Sequence, residues 1–385
     1  MSRRIVRIAP IFALALFAWV GGIDKRDVNA RMVTSLPTVP SGFTIERIAR
    51  IDAPRELAVT PNGDLLVGTS GNAVEIVPDA LGPARAAHVF VALRDGESAG
   101  ISLANGALFI GTYGGVWRVP YVAGDATARA QPQKIASVRP DGGRGHTTTS
   151  VAAGDKTLYV GVGSSCNACV ERDSTRASIL AMGLDGSDVR TRAKHIRNPI
   201  ALAIDGRTQT LWAGVAGQDE LPHGHPYEIF DAVGAHAGTP DYGWPTCYEN
   251  RLSVDGRDCS QQTVARVALP AYETPIGAAF YDAPAASAYA FPPAYAGGAF
   301  VALHGSWHKP LVPPRVAFVP MHGDVPTIPI DWNDPNVQWK TFVGGYQHDD
   351  GSRIGRPTGV AVAPDGSLFI ADDAADAVYR IRPKR

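Results

Sequence analysis

One pattern recurs six times along this 385-residue chain: an apolar run of strand length, a turn, and a second apolar run. Residues 55–59 lead through Pro61-Asn62-Gly63 to residues 65–68, and residues 100–103 through Asn105-Gly106 to residues 108–111. Residues 149–152 lead through Gly154-Asp155 to residues 158–161, and residues 200–203 through Asp205-Gly206 to residues 211–214. Residues 276–280 reach 299–302 across a long insertion, and residues 359–362 reach 368–371 through Pro364-Asp365-Gly366. Asn-Gly and Asp-Gly adopt the positive φ that tight hairpins need, and the flanking apolar residues make two strands. The copies start about 45 to 80 residues apart, which matches the blade period of a propeller better than any solenoid. An ordinary sandwich accounts for frequent hairpins but not for the same strand-turn-strand order in every copy. The expected fold is all-β, a six-bladed β-propeller over residues 43–385. No blade buries its faces alone, so neighbours must stack into a ring.

Composition agrees: 41 glycines and 30 prolines without a collagen-like period suit many tight turns, and 45% hydrophobic residues suit a large buried interior. A formal net charge of −1 gives no electrostatic footprint for nucleic acid or an anionic membrane surface. Residues 1–30 read as a targeting segment, with Arg3, Arg4 and Arg7 ahead of an apolar stretch over residues 8–23 and a small-residue cleavage site near Val28-Asn29-Ala30. A cleaved signal peptide and an uncleaved membrane anchor are both open, because the run approaches the ~17–25 residues that span a bilayer. Residues 31–42 read as a linker. The expected location is therefore periplasmic or secreted, with membrane contact only through an uncleaved N-terminal segment. Cys166/Cys169 and Cys247/Cys259 form two local pairs, which in an oxidising compartment predict two structural disulfides. Zinc at Cys166-Asn167-Ala168-Cys169 needs two more close ligands, and Cys247/Cys259 lack the paired short spacing.

Polar residues at the repeat edges are the candidates for chemistry. Gly145-His146-Thr147 precedes the third copy, and His146 reads equally as a general base at the central mouth or as a surface turn histidine. Arg197-Asn198-Pro199 precedes the fourth copy, where arginine reads equally as a fork for a carboxylate or as a salt bridge between blades, and asparagine offers donor and acceptor. Gly217-Gln218-Asp219-Glu220 follows the next strand; carbonyls freed at a strand end beside carboxylates suit calcium, which takes ~6–8 oxygens. Arg356-Pro357 precedes the sixth copy, and Trp307-His308-Lys309 follows the fifth. Three cations facing one channel repel unless an anion lies between them, which argues for an anionic ligand. His223, His225 and His236 share one loop and form a weaker transition-metal candidate. No glycine-rich phosphate loop opens a helix, and Gly163-Ser164-Ser165 lacks nucleophile-elbow spacing.

At these residues the chain resembles the glucose/sorbosone dehydrogenase family, the soluble sugar dehydrogenases that use pyrroloquinoline quinone (PQQ), and most of all its sorbosone dehydrogenase-like branch. The resemblance rests on Gly145-His146-Thr147-Thr148, residues 158–167, Ile196-Arg197-Asn198-Pro199, Asp219-Glu220 with Asp241-Tyr242-Gly243-Trp244-Pro245, His304-Gly305-Ser306-Trp307, and Gly355-Arg356-Pro357 with residues 364–368. It implies a quinone held across the top of a six-bladed propeller with calcium beneath. It implies His146 as the base that takes the substrate hydroxyl proton while hydride passes to the quinone. Arg197, Asn198, Trp307, Lys309 and Arg356 correspond to cofactor contacts, and Gly217, Gln218 and Asp219 to the calcium site.

The implied activity is oxidation of an aldose or sugar aldehyde, with a quinone or cytochrome as electron acceptor. Two other readings stay open: a non-catalytic propeller that binds a sugar or a protein, and a calcium-dependent lactonase or hydrolase. The chain departs from the family at three places. Arg356-Pro357-Thr358 stands where glucose-oxidising members have Arg-x-Arg. Residues 305–309 stand where relatives of the nearer branch read Gly-Ser-Trp-Asn-Arg. Glu97 stands near a glutamine of some relatives.

Overall fold

Each sequence repeat forms the two inner strands of a four-stranded antiparallel sheet, and there are six such sheets. In the computed structural model, which describes residues 35–140, 142–308 and 311–385, the innermost strands are Pro54–Val59, Gly100–Ala104, Thr149–Ala153, Pro199–Ile204, Pro275–Phe280 and Pro357–Val362. Each packs against the next, and the last packs against the first, so the sheets close into a six-bladed propeller. Residues 1–30, where a targeting segment is expected, and Lys309 lie outside the described residues. Among the described residues, no helix is long and apolar enough to cross a membrane.

Two long connections between repeats contain strands of their own. Residues 221–244 contain Glu228–Asp231, the third strand of the fourth blade, and residues 327–352 contain Lys340–Val343, the outer strand of the fifth. The described part of the expected linker is docked. Thr38 exchanges both main-chain hydrogen bonds with Gly344, at 2.8 and 3.0 Å.

The interior is divided. Six apolar clusters lie between neighbouring blades, each drawing on both. Trp212, fully buried, meets Phe230 of its own blade at 4.9 Å and Phe280 of the next at 5.7 Å. Blades approach closely where a side chain is missing: a Cβ on Gly161 would clash with the main-chain oxygen of Pro199, the first residue of the next blade.

The ring closes with strand Phe43–Arg50, which pairs with Ala377–Pro383 and supplies the outer strand of the sixth blade from the other end of the chain. Two contacts anchor it. Phe43 meets Phe291, Phe342 and Tyr295 edge-on at 4.7, 5.1 and 5.6 Å. Buried Arg380 donates to Glu46 at 2.7 and 2.9 Å and to the carbonyls of Ala80 and Gly82 at 2.6 and 2.7 Å, joining the closing strand to the first blade.

Four innermost strands begin with proline: Pro54, Pro199, Pro275 and Pro357. These strands lie at the inner edge of their sheets, where the missing N–H costs no ladder bond. In all four the register to the second strand slips just after the proline. Such slips bend a strand and re-aim the residues beside it, here Arg197-Asn198 and Arg356.

Truncating Phe43 removes the aromatic anchor of the closing strand. Phe43→Ala is expected to cost about 3–5 kcal/mol, seen as a lowered thermal midpoint in circular dichroism. An unchanged midpoint would show that the ring closes without it.

Candidate functional site

In an antiparallel hairpin the start of the first strand and the end of the second share one edge. Gly145-His146, Arg197-Asn198, Tyr272 to Thr274 and Arg356 sit just before innermost strands, while Gly163-Ser164, residues 216–219 and residues 304–308 sit just after second strands. All therefore meet at one rim. There a cavity of about 230 Å³ is lined by His146, Arg197, Asn198, Gly217, Gln218, Asp219, Trp307 and Arg356. Every expected site residue that the structure describes thus faces one space, joined by Glu228, Tyr272, His304 and His308, to which the sequence reading gave no role.

His146 is half-buried, and its Nδ1 lies 3.1 Å from both the main-chain oxygen and the hydroxyl of Ser164. The Ser164 hydroxyl donates to the Cys166 carbonyl at 2.7 Å, and a carbonyl only accepts, so the proton resides on Nδ1. Nε2 keeps its lone pair. Burial, and then the positive charge of Arg197, lower the His146 pKa to about 4, so the ring is neutral at physiological pH. Gly163 makes room for it: a Cβ there would fall 2.5 Å from the His146 Cβ and collide with Asn198 Oδ1.

Arg197 does not present an open fork. Its Nε donates to the Asn167 carbonyl at 3.0 Å, Nη2 to Asn167 Oδ1 at 3.0 Å and Asp219 Oδ2 at 3.3 Å, and Nη1 to the Ala216 carbonyl at 3.3 Å. One Nη1 hydrogen is left for a ligand. Arg356 donates Nε to the His304 carbonyl at 3.0 Å and Nη2 to the Gly305 carbonyl at 3.3 Å. His304 in turn reaches Asp373 at 3.0 Å, and Asp373 pairs with Arg55 at 3.1 Å. The expectation of uncompensated cations is corrected here for Arg197 and Arg356, the third, Lys309, lying outside the described residues. Asp219 and Asp373 supply counter-charge, because an unpaired buried guanidinium is too costly to keep. Asn198 is buried at 5% exposure, and its side chain makes no hydrogen bond among the described residues, so its amide is available to a ligand.

The turn at residues 217–219 carries the oxygen donors. Glu228, buried, accepts the Gly217 N–H at 2.6 Å and fixes the turn. The Asp219 carbonyl is taken by Asn167 Nδ2 at 3.0 Å. Among the described residues, nothing donates to the carbonyls of Gly217 and Gln218. Two unengaged main-chain oxygens beside a carboxylate fit a hard, oxygen-seeking cation such as calcium. Asp219 itself is committed to Arg197 and to His308 Nε2 at 2.8 Å, so it contributes charge first and any remaining lone pair second. Burial raises the Glu228 pKa to about 7, partly opposed by the hydrogen bond from Gly217.

At the mouth, Tyr272 stacks on His308 at 4.3 Å and His308 on Trp307 at 4.0 Å. Trp307 is 73% exposed, which puts it at the rim rather than deep in the cavity. The loop histidines do not form a metal cluster: His225 bonds Glu249 at 2.7 Å and His236 bonds Asp231 at 2.7 Å. Both cysteine pairs are disulfide-bonded, so no thiolate is left for zinc. Glu97 accepts the Thr147 hydroxyl at 3.2 Å, one residue from His146.

A six-bladed propeller with a basic, oxygen-lined cavity at one mouth is the class that fold and site define. A family model described as TrAA12-like matches residues 247–384. An uncharacterized protein of Borreliella burgdorferi is 22% identical over 378 residues, 93% of this chain and 94% of that one. Two solved structures share the fold. One is the holo PQQ domain of a pyranose dehydrogenase from Coprinopsis cinerea, with a TM-score of 0.76 and 19% identity over 90% of this chain and 97% of that one. The other is a calcium structure of a Trichoderma reesei carbohydrate-active enzyme of family AA12, with a TM-score of 0.76 and 17% identity over 90% of this chain and 97% of that one. These likenesses agree with the resemblance drawn from the motifs; they do not single out the sorbosone branch.

Nitrogen-15 NMR of histidine-labelled protein is expected to show His146 protonated on Nδ1 and neutral until the pH approaches about 4. Arg197→Met removes a neighbouring positive charge, so the midpoint should move upward. A titration near the ordinary histidine value in the wild type would contradict this environment.

Proposed function

We propose that this chain is an exported, PQQ- and calcium-dependent dehydrogenase that oxidises an aldose or sugar aldehyde. The observation that carries the reading is convergence: a neutral histidine with a free Nε2, two unengaged carbonyls and two arginines line one cavity. The PQQ-bearing and calcium-bearing structures named above support it through shared fold, and the two disulfides support an oxidising, extracytoplasmic compartment. A quinone or cytochrome as electron acceptor belongs to the same proposal.

When bound, the quinone supplies a two-electron acceptor and calcium a Lewis acid. The chain's own residues do the rest. His146 Nε2 withdraws the substrate hydroxyl proton, and Ser164 keeps the opposite nitrogen protonated so that Nε2 stays the acceptor. The resulting imidazolium is destabilised by burial and by Arg197, and Asp219 offsets part of that. The Asn198 amide, the remaining Nη1 hydrogen of Arg197 and the Arg356 guanidinium orient an acidic, flat cofactor; Lys309 is assigned the same role from the sequence. The Gly217 and Gln218 carbonyls hold the cation, with Asp219 supplying charge beside them. Trp307 and Tyr272 give the sugar an aromatic rim.

An open cavity favours this reading over a binding module whose site is filled by side chains. Main-chain oxygens in place of a carboxylate cluster favour it over a calcium-dependent hydrolase.

Apoprotein given calcium and PQQ should reduce a dye with some member of an aldose panel, and a chelator should stop it. No turnover with any sugar, together with no retained quinone, would favour the binding module instead. His146→Ala should lower turnover by roughly 10²–10⁴-fold with quinone retention unchanged; near-normal turnover would remove His146 from the mechanism. The base must be unprotonated, and its pKa is lowered to about 4, so the acid limb of kcat/KM should fall near pH 4 instead of 6.5.

A further inference from the structure

Asn167 lies inside the four-residue ring closed by Cys166–Cys169, and all its hydrogen-bonding capacity except one Nδ2 hydrogen and its own N–H is spent on Arg197, Asp219 and Trp244. Its Oδ1 accepts from the Asp219 N–H at 2.7 Å and from Arg197 Nη2 at 3.0 Å. Its Nδ2 donates to the Asp219 carbonyl at 3.0 Å. Its main-chain oxygen accepts from Arg197 Nε at 3.0 Å and from Trp244 Nε1 at 3.1 Å. One amide therefore grips both main-chain groups of Asp219 while turning the guanidinium of Arg197 toward the same point.

We infer that Asn167, held in place by the Cys166–Cys169 bridge, is the positioning residue that sets the 217–219 turn against Arg197. It decides which oxygens of that turn are free: the Asp219 carbonyl is consumed, and those of Gly217 and Gln218 are left. It also fixes the guanidinium so that only one hydrogen faces the cavity. Only an amide does this. A carboxylate offers acceptors alone and would set an oxygen against the Asp219 carbonyl; an aliphatic side chain releases both partners.

The bridge supplies rigidity. A short loop holds a half-buried asparagine in register only under restraint, and here it is restrained twice: by the disulfide, and by Glu171, which accepts from Ser165 N and Oγ at 2.6 and 2.8 Å. The same segment carries Ser164, which orients His146. Base and oxygen turn are thus referenced to one short piece of chain.

The inference stands on geometry; only its cation measurement rests on the function proposed above. Hydrogen–deuterium exchange on the full chain, read by mass spectrometry, tests it without metal. In Asn167→Ala, exchange over residues 216–221 should quicken about tenfold while Pro199–Ile204 and Leu211–Val215 stay protected. The Cys166→Ser/Cys169→Ser double variant should change in the same direction. Asn167→Asp keeps the acceptor for the Asp219 N–H but loses the donor to the Asp219 carbonyl, so its exchange there should also quicken, by less than in Asn167→Ala. Unchanged exchange in both the alanine and the serine variants would overturn the inference, as would acceleration spread evenly over all blades. Titration with terbium, read by energy transfer from tryptophan, should show an affinity at least about tenfold weaker in Asn167→Ala and in Asn167→Asp. Equal affinity in all variants would overturn the link from Asn167 to the oxygen donors. A wild type that binds no terbium, with the exchange pattern as expected, would sink the cation reading and leave Asn167 as the positioning residue of the turn.

Discussion

No blade of this protein owns a core. Each sheet is apolar on both faces, and the six clusters that bury those faces lie between blades. Stability and site geometry therefore share one requirement: the ring must be complete. Hydrophobic burial between sheets fixes where each innermost strand lies, and the start of each innermost strand fixes a functional residue. His146, Arg197 and Arg356 converge because the ring sets the rim ends of the innermost strands of the third, fourth and sixth blades around one mouth, with no local motif bringing them together.

The rim is a managed collection of buried charge. Arg197 is 7% exposed and leans on Asp219; Arg356 is backed by carbonyls and by the His304–Asp373–Arg55 chain. Pairing of this kind keeps guanidinium groups charged in a poorly solvated place. It leaves a small set of groups with unspent capacity, among them the Asn198 amide, His146 Nε2, one Nη1 hydrogen of Arg197 and two carbonyls. Those are the groups through which a ligand gains most, since binding satisfies what the protein leaves unsatisfied.

Much of this was legible in the chain because inner strands are the most stereotyped part of a blade. Buried on both faces and joined by Asn-Gly or Asp-Gly, they read clearly from residues 55–68 to residues 359–371. Outer strands such as Gln133–Ser137, Arg190–Lys194 and Lys340–Val343 carry charge on exposed positions and lack that signal, so the repeat does not reveal them. The rim residues His146, Arg197 and Arg356 were found because each abuts a repeat. Glu228 and Asn167 were not assigned roles: one is a strand residue and the other sits in a disulfide loop, and only the folded ring shows that both grip the turn at 217–219. Pairing of Arg197 with Asp219, 22 residues away, is likewise invisible to local spacing.

The strand that completes the sixth blade has a consequence for synthesis. Glu46 and Arg380 are 334 residues apart in sequence, yet each is the other's partner. A ribosome releases the first long before the last, so the earliest segment has no mate until translation is nearly over. Until then it presents an unpaired edge and an uncovered Phe43, features that invite association with other chains. The finished ring removes both at once, which makes the final pairing the step that separates a sticky nascent chain from a closed, independent molecule.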